Sequence, residues 1–483
     1  MKKIKKLLSL MAAVLVVGSL AGCSGGKTGP ETTAAPQTGA EMSGDTGAQT
    51  GRETNTAESS AAADAVDPTQ LKEKIVFWGA WAEDQGPDDW IKEFNKKFPG
   101  IEVEYVKFNN TDEGNVKMDT SLLAGIDVDV FMNFGTKRIH PRAENGLISS
   151  IDDLLARDGF DVAIEYGENA HNIDGSYYGL PIGTLSDFTI LNQTALAAAG
   201  LTVPEEWDLD TYREYAGKLT SGDGRNRVYG TCDWHYIMNW AMPAYGSLGA
   251  DPWYNEEGLS NWDNPAYKTT LEFKNEMENE LQIQYPYKQL TAQKITPYDV
   301  FFRNECNMAI ATSGATRFLK DLETYPREFK TAFAPLPVID LNNDTGGNRG
   351  TYFFSYISMG SKLEGTKREA AWQFMKWLGT EGNTMFASVG HIPAWKDADK
   401  DRIVEIMLGT DIDRYVDLDS FKRVVLNMED RAIGQDITKL TAYNQLTTIM
   451  KEEAELAIYG EKTVDQALAD MKSRSDEEIK KAQ

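Results

Sequence analysis

From Lys74 to Met132 the chain switches hydrophobic period four times, and this alternation restricts the fold more than any other feature. Lys74-Ile-Val-Phe-Trp78 is a short apolar run of the kind a fully buried strand needs. After a loop-like stretch, Pro87 opens a helix expected over 88–97, with Trp90, Phe94 and Phe98 on one face and Pro99-Gly100 as its stop. Residues 101–106 alternate apolar and polar like a strand, 116–124 read as a helix, and 128–132 as a further strand. Strand, helix, strand, helix, strand specifies a parallel α/β sheet. Ligands of such sheets bind beyond the carboxyl ends of the strands, which here means residues 79–83 and 133–137.

The same reading continues along the chain. A strand is expected over 187–192, helices over 193–200, 209–219, 369–378, 447–459 and 463–480, and a strand at 308–311. Gly460 and Thr463 supply the stop and start signals between the last two helices. No internal repeat or heptad pattern interrupts this order.

The amino terminus has a different character. Lys2, Lys3, Lys5 and Lys6 precede an apolar run from Leu7 to Val17, followed by Leu20-Ala-Gly-Cys23. A basic start, a short apolar core and small residues before a cut form a secretory signal. The run is shorter than the ~20 residues that a spanning helix requires. Leu20-Ala-Gly-Cys23 resembles a bacterial lipobox, which implies cleavage before Cys23, lipidation of Cys23, and attachment to a membrane surface without spanning it. Residues 24–70 are rich in Thr, Ala, Gly, Ser and Glu and lack any aromatic, Leu or Ile. Such a segment buries too little apolar area to offset its ordering entropy, so a disordered tether is expected. About 45 such residues reach roughly 35–40 Å.

Composition narrows the partners. The formal net charge of −25 argues against nucleic acid. Cys232 and Cys306 are the cysteines that follow Cys23, and outside the cell they are open to pairing or to remaining as two small buried side chains. The four histidines, His140, His171, His235 and His391, show no metal-ligand spacing, so no metal and no cofactor are expected. No Gly-x-Ser-x-Gly elbow, His-Glu-x-x-His helix or phosphate-binding glycine loop is present. Asp340–Gly346 has a misplaced glycine and no closing Glu for a calcium loop.

Four stretches carry a resemblance to a known family. They are Lys74-Ile-Val-Phe-Trp-Gly with Phe94-Asn-Lys-Lys-Phe-Pro-Gly-Ile-Glu-Val; Asp174-Gly-Ser-Tyr-Tyr-Gly-Leu-Pro-Ile; Arg368-Glu-Ala-Ala-Trp-Gln-Phe-Met-Lys-Trp-Leu with Gly390-His-Ile-Pro; and Tyr459-Gly-Glu-Lys-Thr-Val-Asp-Gln-Ala-Leu. In this order the chain resembles the bacterial extracellular solute-binding proteins of ABC importers, in the carbohydrate branch that includes maltose-binding protein. The resemblance implies an α/β, two-lobed periplasmic-binding-protein-like fold of class II, with the lobes joined by three hinge crossings. The expected layout is a signal peptide at 1–22, a lipidated Cys23 and tether at 23–70, lobe 1 at 71–181 and 338–392, and lobe 2 at 182–337 and 393–483. The crossings are placed near Leu180-Pro181, Pro335-Leu-Pro337 and Gly390–Pro393. The implied mechanism is closure about the hinge on a ligand that favours the closed state. The implied partners are a small carbohydrate, ABC permease subunits and, through Cys23, the membrane. A monomer is expected.

Sugars present apolar ring faces and a belt of hydroxyls, so their sites combine aromatic planes with hydrogen-bonding side chains. On the loops implied to line the cleft these are Trp81, Glu83, Asn133 and Thr136. Just past the first crossing stands Asp187. Within Cys232-Asp-Trp-His-Tyr-Ile-Met-Asn-Trp240, the densest aromatic cluster, the candidates are Asp233, Trp234 and Trp240. Arg349 and Tyr352 follow Gly346-Gly347, and Trp395 after the third crossing belongs to either core or cleft. Where relatives carry a loop ending in Trp, this chain has Thr312-Ser-Gly-Ala-Thr-Arg317, which removes a stacking plane and leaves Ser313 and Arg317 as polar candidates. The alternatives are the same fold holding a peptide, polyamine or anion, a sensor that presents its solute to a receptor, and an exported glycosidase. No carboxylate pair is marked for the last.

Overall fold

The computed structural model describes residues 67–126, 128–232, 240–248, 251–342, 351–410, 412–426, 439 and 441–483. The expected parallel unit is present as β1 (Glu73–Gly79), β2 (Ile101–Lys107) and β3 (Val130–Phe134), with β1 between the other two and all three parallel. β3 is buried along its whole length, as a strand covered on both faces must be, whereas β2 alternates buried and exposed positions at the sheet edge. Helix Pro87–Lys97 begins with Pro at its first position, carries Asp88 and Asp89 in the first turn and Lys96 and Lys97 in the last, and buries Trp90 and Phe94. Those charges oppose the poles of the helix dipole, and each buried aromatic contributes roughly 1.5–3 kcal/mol. Helix Asp112–Ala124 starts four residues before the expected 116, because the Thr111 side chain accepts from the Gly114 amide and caps it.

The long strand β4 (Leu180–Asn192) joins two sheets. The sequence suggested a strand only over 187–192, but Leu180–Ser186 extends it, buried at every position except the partly buried Leu185. Up to Ser186 it pairs with β8 (Thr351–Met359), which runs antiparallel to β3 and so completes the first sheet in the order β2-β1-β3-β8-β4. From Asp187 onward β4 pairs instead with β6 (Cys306–Thr312) on one side and β7 (Thr331–Ala334) on the other, and β5 (Tyr229–Cys232) lies parallel to β6. Partner exchange therefore falls at Ser186/Asp187, further along than Leu180-Pro181. Pro335 belongs with the second sheet, since its carbonyl accepts from Trp207 Nε1 at 2.7 Å and Val338 bridges Asp208. β9 (Ile392–Pro393) pairs with Gly183 and Thr184, and Trp395 packs against the cores of both sheets.

Each sheet has its own core. Ile75, Phe77, Phe131, Met132 and Tyr356 pack with Trp372, Phe374 and Leu378 of helix Gly365–Gly379 around the first. Phe188, Ile190, Ala309 and Phe333 face one side of the second, and Leu191, Met308 and Ile310 face the other with Trp207 and Tyr212. A separate helical cluster joins Trp240, Trp262 and Tyr267 to helices Tyr443–Ile458 and Val464–Ala482, the latter opened by a Thr463/Gln466 capping box. Cys232 and Cys306 are both buried and are not joined in a disulfide. None of the described helices is long and apolar enough to cross a membrane.

Candidate functional site

Because β1, β2 and β3 are parallel, their carboxyl ends share one edge of the first sheet, and the loops that follow them converge there. At the end of β3 the chain turns into helix Thr136–Glu144 through Gly135, whose φ of 80° is open to glycine without strain. The loop after β1 is held from β2, where Tyr105 Oη donates to the Trp81 carbonyl at 2.8 Å.

This edge carries a wall of aromatic rings. The Trp81 ring centre lies 6.0 Å from Phe134 and 5.1 Å from His391, both edge-on. Phe354 of β8 stands 5.8 Å from Phe134, 6.3 Å from His391 and 6.4 Å from Tyr352. Trp81, Tyr352, Phe354 and His391 are each partly buried. His391 reaches this position because Gly183 of β4 has no side chain: a Cβ there would lie 2.9 Å from its Nδ1. Burial pushes the imidazole down to about 4, which keeps it neutral, and its Nδ1 lies 3.3 Å from Ser355 Oγ.

Beside the wall opens a cavity of about 480 Å³ lined by Asn110, Thr111, Asp112, Glu113, Phe134, Lys137, Arg138 and Phe354. Arg138 pairs with Asp112 at 2.5 Å and holds its carboxyl below the ordinary range. Apolar ring faces next to amide, hydroxyl and mixed-charge groups suit a ligand with both apolar and hydrogen-bonding faces. Glu83 is exposed at the start of the single turn Glu83–Gln85 that follows Trp81.

Two expected contacts from this edge are engaged inside the lobe. Asn133 is fully buried; its Nδ2 donates to Ser358 Oγ at 2.7 Å and its Oδ1 accepts from Arg142. Arg142, itself buried, also donates to Asp119 at 2.6 Å and Asn115 at 2.8 Å, and thereby fastens helix Thr136–Glu144 to helix Asp112–Ala124 and to β3. Thr136 is buried in the first turn of its helix.

Asp187 occupies the point at which β4 changes sheets. It is 7 % exposed, pairs in register with Thr312, and its Oδ1 has no hydrogen-bond partner. Burial raises its carboxyl to about 8. A buried polar atom without a partner is costly, and its retention calls for a reason. The rest of the expected set is dispersed. Ser313 is buried at the start of the turn Ser313–Phe318, with its carbonyl accepting from Thr316 Oγ1 at 2.7 Å, and Arg317 of the same turn lies over the adjacent Phe318 ring. Trp240 belongs to the helical core at 3 % exposure. Trp395 bridges the two cores, donating from Nε1 to Glu165 at 2.5 Å and from its amide to Asn383 at 2.9 Å. Cys23, Asp233, Trp234 and Arg349 lie outside the described residues. Phe134, Phe354 and His391 were not anticipated as site residues. His391 did stand in the Gly390-His-Ile-Pro stretch quoted above and Phe134 within the strand end at 133–137, while Phe354 gave no local signal.

Similarity to known proteins agrees with this arrangement. The profile of the bacterial extracellular solute-binding protein family matches residues 78–385. No curated protein sequence matches the chain. Among solved structures, a sugar transporter from Rhizobium etli in an open conformation superposes with a TM-score of 0.69 at 17 % identity, over 84 % of this chain and 99 % of that one. The sugar-binding protein MalE from Xanthomonas citri gives 0.65 at 16 % identity, over 84 % and 98 %. An ABC substrate-binding protein from Listeria monocytogenes in complex with cycloalternan gives 0.64 at 19 % identity, over 85 % and 99 %. The fold is thus that of the two-lobed, non-enzymatic binding proteins, with an extracytoplasmic location implied, and the chain belongs to the bacterial extracellular solute-binding protein family.

Proposed function

We propose that this protein captures a carbohydrate between its two lobes and delivers it to the permease of an ABC importer while held to the membrane by lipid on Cys23. The carrying observation is the ring wall of Trp81, Phe134, Phe354, Tyr352 and His391 beside a polar cavity at the carboxyl edge of the first sheet. A pyranose ring stacks an apolar face on such planes and directs its hydroxyls to groups of the kind at Asn110, Asp112, Lys137 and Arg138. Glu83 extends this polar rim. From the second sheet, Asp187 supplies a carboxyl that gains a partner when a hydroxyl reaches it. Asn133, Thr136, Trp240 and Ser313 support the scaffold in this reading rather than touch the sugar, and Trp395 joins the lobes at the last crossing. Tether, anchor and the lobe boundaries near the three crossings complete the proposal.

The test is a thermal-unfolding screen of the full chain against mono- and oligosaccharides, with amino acids, peptides and polyamines as controls. A ligand at a hundredfold excess over its Kd stabilises the folded state by roughly 2.7 kcal/mol. Stabilisation by one sugar class, with altered tryptophan fluorescence and no product, supports the proposal. Stabilisation by a control class alone refutes the carbohydrate assignment.

A further inference from the structure

Among the described residues no three His, Cys, Asp or Glu side chains gather as a metal cluster. One pair of imidazoles nevertheless stands apart from the ligand wall. His140 sits on helix Thr136–Glu144, one turn after Lys137, and His171 lies in the segment before Ile173. They are distant in sequence, yet their ring centres are 5.0 Å apart at 49°. Nε2 of each is buried without a hydrogen-bond partner. Leaving two ring nitrogens unsatisfied inside a protein costs free energy unless something binds there.

The ring spacing is compatible with a shared ion. With metal–imidazole bonds of about 2.0–2.1 Å, two rings on adjacent positions of one ion have their centres roughly 4.5–5 Å apart, from square-planar to tetrahedral angles. We infer that His140 and His171 form a two-histidine site for a divalent transition-metal ion, with water in the remaining positions. Nitrogen ligands without a carboxylate or thiolate favour Cu2+ over Ni2+ and Zn2+ and disfavour Ca2+ and Mg2+. The ring of Tyr356 lies 6.2 Å from His171 and backs the pair from β8.

The experiment uses the full chain, free of any histidine tag and stripped with a chelator, titrated separately with CuCl2, NiCl2, ZnCl2 and MgCl2. One equivalent of Cu2+ is expected to bind, more tightly than Ni2+ or Zn2+ and with no Mg2+ response. The electron paramagnetic resonance spectrum of the Cu2+ complex should show hyperfine coupling from two imidazole nitrogens. His140→Ala and His171→Ala should each weaken binding at least tenfold, whereas His391→Ala should leave it unchanged. Absence of stoichiometric Cu2+ binding, a spectrum with no imidazole nitrogen, or binding that survives both single substitutions overturns the site. The spectrum of the unsubstituted protein decides the matter even if a variant fails to fold, and none of these outcomes depends on sugar binding.

Discussion

Replacing Asp187 by Asn should stabilise the empty protein, by an amount that grows with pH. Asp187 is buried at the sheet exchange with an unpartnered Oδ1, and burial raises its carboxyl from 3.8 to about 8. In the unfolded chain the group titrates near its ordinary value. Below pH 3.8 both states hold the proton and the carboxyl imposes no ionic penalty. Between 3.8 and 8 the unfolded state is ionised while the folded state keeps its proton, so stability falls as pH rises. Above 8 the full penalty applies. Each pH unit across that window is worth about 1.36 kcal/mol, which sets a ceiling of roughly 6 kcal/mol and about 3 kcal/mol between pH 5 and pH 7. Asparagine keeps the shape and does not ionise. Urea unfolding of both proteins at pH 5, 6 and 7, followed by tryptophan fluorescence, should therefore give a stability difference that widens with pH in favour of Asp187→Asn. A difference independent of pH, or a variant less stable than the parent at pH 7, would refute the reasoning. The retention of a destabilising carboxyl is understandable if a ligand uses it, so the same variant should bind its sugar more weakly despite the firmer fold.

Other outcomes follow from the same geometry. Phe354→Ala removes a partly exposed ring from the wall and should weaken sugar binding up to about tenfold in a fluorescence titration, since an aromatic face contributes about 0.5–1.5 kcal/mol beyond its area. Asn133→Ala takes one bond from the buried Arg142 guanidinium and one from Ser358, and should lower unfolding free energy by about 2–4 kcal/mol with the Kd for ligand unchanged. Thr463→Ala breaks the capping box of the last helix and should lower stability by about 1 kcal/mol in urea denaturation. Cys23→Ser should move the protein from the detergent-rich phase to the aqueous phase in a phase-partition assay of whole cells.

Some of this protein was written locally in its sequence. The runs at Lys74–Trp78 and 101–106, the helix at 209–219 and the Thr463 start signal required only neighbours within a few residues, because a strand period or a helix cap is a short-range property. The first two of these runs placed the carboxyl edge of the first sheet, and Trp81 was named from it. What eluded the sequence was long-range. β4 reads as one strand only once β8 covers its first half and β6 and β7 its second, so the exchange at Ser186/Asp187 is decided by partners more than a hundred positions away. Asn133 has the side chain of a ligand contact, and only the approach of Arg142 and Ser358 turns it inward. Trp240 sits in the richest aromatic stretch, yet helices from the far end of the chain enclose it. The wall itself brings Trp81, Phe134, Phe354 and His391 together, and His140 meets His171 in the same way. Periodicity determined which segments would be strands and helices; the closing of distant segments on one another, driven by apolar burial that carries no memory of sequence separation, decided which side chains face a ligand and which hold the lobe together.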